Sequence, residues 1–508
     1  MRRPFLATLL NAIAAASFAA PSFAAELPAA PAFPATPAGW QAAAARDIEA
    51  GYQVTLANHA GALDPHNPAF QGNLKAAREH GLGLAAKVAD GAGYRAALLG
   101  FTAQIHDGHA GIYPTFDASS LQPLLWPGFV AAWRGDLFVY AAEGGAARQG
   151  ERIVSCDGKP ARRLMEENVF AFFGRADEAG QWWSLAPSLF VDARNPFVQQ
   201  PRRCVFELAG ERTERQLDWR PVTAQARTWQ TDNLAPDTLP VGLTEPRPKL
   251  FWMAMPTFQP SDAERAAYHG AYRQVETQRA RFLQADAVVI DLRRNGGGNS
   301  VWSRNFAAAL WGEDRVRRLS AARSANERVW YRASPDNIAH FRHSVDEFTN
   351  KKELKIASWA AGHEAGMRAA QAAGKPYYVA NEDAAPAAAN PAADLPGDPP
   401  ALTRPVYVIV PGNCASACLD ALDIFKMFPN TRLIGAPSSA DSTYMEVRSH
   451  YLPGGLARVI VPVKLYVNRP RGNGEFYTPD IAVTALEWRT GEFLEVVERD
   501  LKKQGSAH

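Results

Sequence analysis

Cysteine is scarce in this chain, charge of neither sign dominates, and no apolar run past the first two dozen residues is long enough to cross a bilayer. Four cysteines in 508 residues exclude a small scaffold held together by disulfides. They fall in two pairs. Cys156 and Cys204 lie in separate strand-like segments and could bridge in an oxidising compartment. Cys414 and Cys418 stand four apart around Ser416, on one face if that segment is helical, and either stay reduced, pair, or fill space as small apolar groups. The 54 basic and 52 acidic side chains nearly cancel, which gives no support for binding nucleic acid or an anionic membrane. Phosphate-binding signatures are missing as well. The glycines at Gly296, Gly297 and Gly298 lack the G-x-G-x-x-G spacing, and no P-loop lysine follows them. His363-Glu364 has no second histidine four residues on, so a zinc-protease helix is excluded. No cofactor and no metal are expected.

The chain opens with Arg2 and Arg3, an apolar stretch from Phe5 to Ala20, and small residues around Ser22-Phe23-Ala24. This pattern predicts a signal peptide over residues 1–24, cut after Ala24, and a periplasmic or secreted protein with no membrane span. Loss of Arg2 and Arg3 leaves 52 basic residues against 52 acidic ones. The remaining length of about 480 residues suggests roughly three domains.

Apolar positions at helical spacing run through Ala42 to Leu56, Phe70 to Ala89 and Tyr94 to Ile105, which predicts an N-terminal helical domain over residues 25–120. It ends in the polar turn His106-Asp107-Gly108-His109. From 121 to 222 the sequence alternates short β-like runs. The segment Ala147 to Pro160, with its Asp157-Gly158 hairpin turn, resembles the signature of PDZ domains, which bind extended peptides at a sheet edge. A β-rich spacer is the competing reading, and the insertion around Trp182 and Trp183 departs from the PDZ pattern.

The organising stretch comes late. The apolar run Val406 to Val410 leads through Gly412 and Asn413 to Cys414-Ala415-Ser416-Ala417-Cys418 and into an amphipathic segment. A buried strand turning there into a helix puts the Ser416 hydroxyl at a helix N-terminus, where unpartnered N–H groups and the helix dipole would stabilise an oxyanion. A capping serine would look the same. A second buried strand, Ala287 to Leu292, runs into Asp291-Leu292-Arg293-Arg294-Asn295-Gly296-Gly297-Gly298. Three bare glycines permit positive φ and close backbone approach at an entropic cost that a plain turn seldom needs.

Asp-Leu-Arg-x-Asn-x-Gly-Gly after a buried strand, Ala415-Ser416-Ala417 before a helix, Leu433-Ile434-Gly435 and Pro479-Asp480 together resemble the core of the tail-specific (C-terminal-processing) serine peptidases, a family that includes the tricorn core protease. The match spans about Lys249 to Val483. The resemblance implies an α/β core of the ClpP/crotonase kind, preceded by a PDZ-like domain and a helical region. The protease core would occupy residues 223–508, with an insertion at 315–403 that turns Ala/Pro-rich from Glu382 to Pro400, like a linker or lid.

One branch of that family uses a Ser-Lys dyad, but position 441 is Asp441 and no lysine lies between Lys426 and Lys464. The tricorn-like branch takes its base from an Asp-Gly-His segment and its acid from a glutamate some 60 residues after the serine. Here Asp107-Gly108-His109 and Glu475, 59 positions beyond Ser416, fit that description. The resemblance therefore implies Ser416 as nucleophile, His109 as base and Glu475 as orienting acid, with an oxyanion hole from Ala417 and Gly297 or its neighbour Gly298. His106 is a rival base, and Ser438, Ser439 and Ser442 are candidate supporting groups or plain turn residues. The expected function is an exported serine endopeptidase acting on polypeptide substrates, and a homo-oligomer is compatible with it. A silent PDZ-type peptide-binding protein, a serine esterase or amidase, and a crotonase-like acyl-CoA enzyme are the alternatives.

Overall fold

The structure, a computed structural model, describes residues 32–380 and 395–505. The expected signal peptide and most of the Ala/Pro-rich run lie outside the described residues. Three helices come first. α1 (Pro37–Asn58) starts with Pro37 behind Thr36, whose hydroxyl caps the Gly39 N–H at 3.1 Å. α2 (Phe70–Ala85) and α3 (Gly91–Gln104) follow, and the chain then enters the short strand β1 (Gly111–Pro114). A six-stranded antiparallel sheet follows, with five strands adjacent in chain order, β2 (Phe129–Trp133), β3 (Leu137–Ala142), β4 (Arg152–Cys156), β5 (Arg203–Leu208) and β6 (Glu211–Gln216), and the short strand Lys159–Pro160 paired with β4. Cys156 and Cys204 sit opposite one another on β4 and β5 and are disulfide-bonded.

The centre is a six-stranded sheet. β7 (Gly242–Arg247) runs antiparallel at one edge to β8 (Leu250–Ala254). Helix α4 (Asp262–Thr277), opened by a capping box between Ser261 and Glu264, leads to β9 (Ala287–Asp291), and α5 (Val301–Trp311) follows the glycine loop. The insertion then contributes β10 (Arg328–Arg332), α6 (Pro335–Asn350), α7 (Leu354–Ala372) and β11 (Tyr377–Val379). The chain returns to the central sheet with β12 (Val406–Val410), α8 (Ala417–Phe425) and β13 (Thr431–Gly435). Two long strands, β14 (Tyr444–Tyr451) and β15 (Ala457–Val467), come before β16 (Ile481–Ala482) and the last helix, α9 (Thr490–Gly505).

Strands β8, β9, β12, β13 and β16 are mutually parallel and adjacent in that order. Every residue of β8, β9 and β12 is buried, as expected for parallel strands covered on both faces. Alternate residues divide the core: Val288, Ile290 and Val408 face α4, α5 and α8, whereas Trp252, Val289 and Ile409 join the core of the β2–β6 sheet and α9. In the other mixed assembly, β15 pairs with β1, β10 and β14. Its inward side chains, Val459, Val461 and Leu465, share one core with α1, α2 and α3. The N-terminal helices are therefore packed on a strand from the far end of the chain. Among the described residues, no helix is long and apolar enough to cross a membrane.

Because β9 and β12 are parallel neighbours, their C-terminal loops emerge side by side. This brings the glycine loop against the Ser416 turn, at the strand ends where ligands bind in open α/β sheets. Arg293 fixes the first of those loops. Fully buried, it bonds Asp291 at 2.7 Å and Asp237 at 2.8 Å, and it donates to the Trp488 carbonyl and the Thr490 hydroxyl ahead of and within α9. A guanidinium suits this place because its rigid fork reaches several acceptors at once.

Candidate active site

Ser416 stands at the corner between β12 and α8 with φ 54° and ψ −125°. A non-glycine residue held there costs on the order of 1–3 kcal/mol, so the surroundings must impose it. Three of them do. Asp441 accepts the Ser416 N–H at 2.8 Å. The Cys414–Cys418 disulfide, both halves fully buried, closes the turn onto the first turn of α8. Gly297 approaches so closely that a Cβ on it would stand 2.7 Å from the Ala415 carbonyl oxygen and 3.0 Å from the Ser416 Cβ. Ser416 opens into a cleft of about 580 Å³ that Ala417 and Gly298 also line. The Ala417 N–H is the first of α8 and has no acceptor within its helix.

The three expected oxyanion donors are not equivalent. The Gly297 N–H donates to the Asn295 side-chain oxygen at 2.9 Å, while the Asn295 amide donates to the Met255 carbonyl at 2.8 Å. The Gly297 N–H is thus committed to a buried side chain, whereas Ala417 and Gly298 line the cleft.

His109 lies in the loop between α3 and β1 and is buried. Its Nδ1 is 2.8 Å from the Tyr444 carbonyl oxygen. A carbonyl only accepts, so Nδ1 carries a proton, and the tautomer this selects has its lone pair at Nε2. Nε2 faces Asp441 Oδ1 at 4.0 Å, and the other oxygen of Asp441 holds the Ser416 N–H. His109 and Ser416 thus adjoin the same carboxylate. Asp107 sets the loop itself: it accepts the His109 N–H at 2.9 Å, the Ser442 hydroxyl at 2.7 Å and His59 Nε2 at 2.8 Å. Burial alone would raise the Asp107 pKa, but the hydrogen bond and charge of His59, with His109 behind them, hold it below the usual carboxylate value.

The structure does not bring Glu475 to the imidazole. Its carboxylate accepts the Gly472 N–H at 2.8 Å, the nearest donor in its own tight turn. That turn still abuts the site, because the Gly474 N–H donates to the Asp441 carbonyl at 2.8 Å. The orienting contact on His109 comes from Tyr444, whose phenol is clamped by Asp64 at 2.8 Å and Asn67 at 3.1 Å. His106 is exposed, with φ 61°, and lines a separate polar pocket with Arg175 and Asn473. Ser442 supports Asp107. Ser439 donates to Glu178 at 3.0 Å, a carboxyl whose pKa burial pushes up, and Ser438 accepts the Tyr477 N–H at 2.9 Å. Asp441 and Tyr444 are the functional residues that sequence reasoning missed. Position 441 carried a signal only as a missing lysine, and a main-chain carbonyl carries none.

Residues 252–483 match the family model described as Peptidase family S41. No curated protein matches the chain in sequence. Among solved structures, mature CPAF complexed with lactacystin is similar at a TM-score of 0.56 and 12% identity, over 91% of this chain and 98% of that one. Mature CPAF alone gives 0.54 and 13%, over 87% and 92%. At such identities the likeness is one of fold.

Proposed function

We propose that this chain is a peptidase of family S41, the tail-specific serine peptidases, whose family model residues 252–483 match, and that it hydrolyses peptide bonds through an acyl-enzyme on Ser416, with His109 as the base. One observation carries the reading: Ser416 is strained at a strand-to-helix corner with its N–H on Asp441, and the second oxygen of that carboxylate faces His109 Nε2. In this reading the Ser416 Oγ attacks the scissile carbonyl and Nε2 takes its proton. The Ala417 and Gly298 N–H groups receive the oxyanion, and the imidazolium returns the proton to the leaving amine. Water then repeats the sequence on the acyl-enzyme. Asp441 compensates the positive charge that develops on His109, and the Tyr444 carbonyl holds the tautomer.

Export fits the same reading, since structural disulfides form and persist mainly in oxidising compartments. The β2–β6 sheet, within residues 121–222, is assigned to PDZ-like capture of an extended peptide ahead of the core. The helical region over 25–120 supplies the base.

A fluorophosphonate probe tests the nucleophile: the native protein is expected to take the label and Ser416→Ala to refuse it. An unlabelled native protein overturns the proposal. Casein against short p-nitrophenyl esters then separates a peptidase from an esterase. Glu475→Gln tests the acid. With Tyr444 orienting the ring, its kcat/KM should stay within about threefold of the native value. A loss near 10⁴-fold, the scale seen when a triad acid is neutralised, would return that role to Glu475.

A further inference from the structure

The cleft beside Ser416 has a charge pattern and an apolar wall that the chemistry above does not use. Five charged side chains line it, and four of them neutralise one another. Arg469 pairs with Asp420 at 2.5 Å, and Lys464 with Glu446 at 3.4 Å. Arg304, exposed on α5, makes no side-chain hydrogen bond or ion pair among the described residues. Among the described residues that line the cleft, one positive charge is therefore uncompensated. One turn earlier on the same face of α5 stands Val301, 37% exposed, and the insertion helix α7 contributes Trp359, 43% exposed. The indole is fixed by Phe341 and His363, at ring distances of 5.6 and 4.8 Å, so it meets an incoming group without first being ordered.

We infer that this cleft selects polypeptides that lay a large apolar or aromatic side chain on Trp359 and Val301 and an acidic side chain against Arg304. The inference rests on the peptidase reading and names its substrate class. An apolar side chain buried on an indole gains the transfer free energy of its area, and a carboxylate at an exposed guanidinium gains a modest, salt-sensitive attraction. The insertion that interrupts the core thus makes one wall of the specificity site.

The test is a fluorogenic peptide set carrying Phe, Leu or Ala, and Glu or Lys, at each of the three positions on either side of the cleaved bond. The native protein is expected to favour Glu over Lys about tenfold at one position, some threefold for each charge. Arg304→Glu should invert that ratio at the same position. Trp359→Ala should lower the preference for Phe over Ala about tenfold and leave the Glu/Lys ratio alone. If Arg304→Glu leaves every Glu/Lys ratio within twofold, or Trp359→Ala leaves the Phe/Ala ratio unchanged, the inference is wrong while the peptidase reading stands. A native protein that cleaves no peptide and takes no fluorophosphonate sinks both.

Discussion

Replacing His109 with alanine is expected to lower kcat/KM on a peptide substrate by about 10⁴-fold or more, with the far-ultraviolet circular dichroism unchanged. The magnitude follows from the geometry. The Tyr444 carbonyl fixes the His109 tautomer whose lone pair is at Nε2, beside the carboxylate that holds the Ser416 N–H, and that carboxylate is a poor substitute base because it already accepts this hydrogen bond. Steady-state kinetics on His109→Ala, Ser416→Ala and the double variant check the assignment together. Groups acting as a unit are not additive, so the double variant should be no slower than the worse single one. A double variant slower by the product of the two losses would mean that the serine and histidine serve different steps.

Gly297→Ala carries the second large effect. Two costs combine at this position. The φ of 113° is strained for any side chain, and the added methyl would meet the Ala415 carbonyl oxygen at 2.7 Å, a main-chain atom that moves only if the Ser416 turn moves. Displacing that turn shifts the hydroxyl relative to both the base and the Ala417 N–H. The expected loss is about 10²- to 10³-fold in kcat, with KM changed little, because the donors matter most when the oxyanion forms. Gly270→Ala on α4 is the control. A Cβ there meets nothing within 4 Å, and the variant should be as active as the native protein and slightly more stable. Equal kcat for Gly297→Ala and the native protein would show that the glycine loop does not set the nucleophile's position.

Much of this arrangement was legible in the sequence, and the boundary is physical. The β12 strand, the turn and α8 could be read because a fully apolar run followed by small residues and an amphipathic period leaves few other folds for Val406 to Leu422. The three N-terminal helices were legible for the same reason of period. That they share a core with β15 was not, since no pattern in α1 names a partner some 400 residues away. The fate of the Gly297 N–H was in principle readable: an asparagine two residues before a glycine is a local acceptor for it, and Asn295 is that acceptor. The orienting group on His109 was not readable. A glutamate at the family's distance is visible, whereas the Tyr444 carbonyl is like any other peptide group until the fold aims it.

The proposed base, His109, and the main-chain oxygen that aligns it are 335 residues apart in the chain. On the ribosome His109 emerges early, yet its ring acquires an aligned partner only after β14 has been made, and Ser416 also arrives late. A nascent or truncated polypeptide thus carries separate halves of the hydrolytic machinery and should be inert.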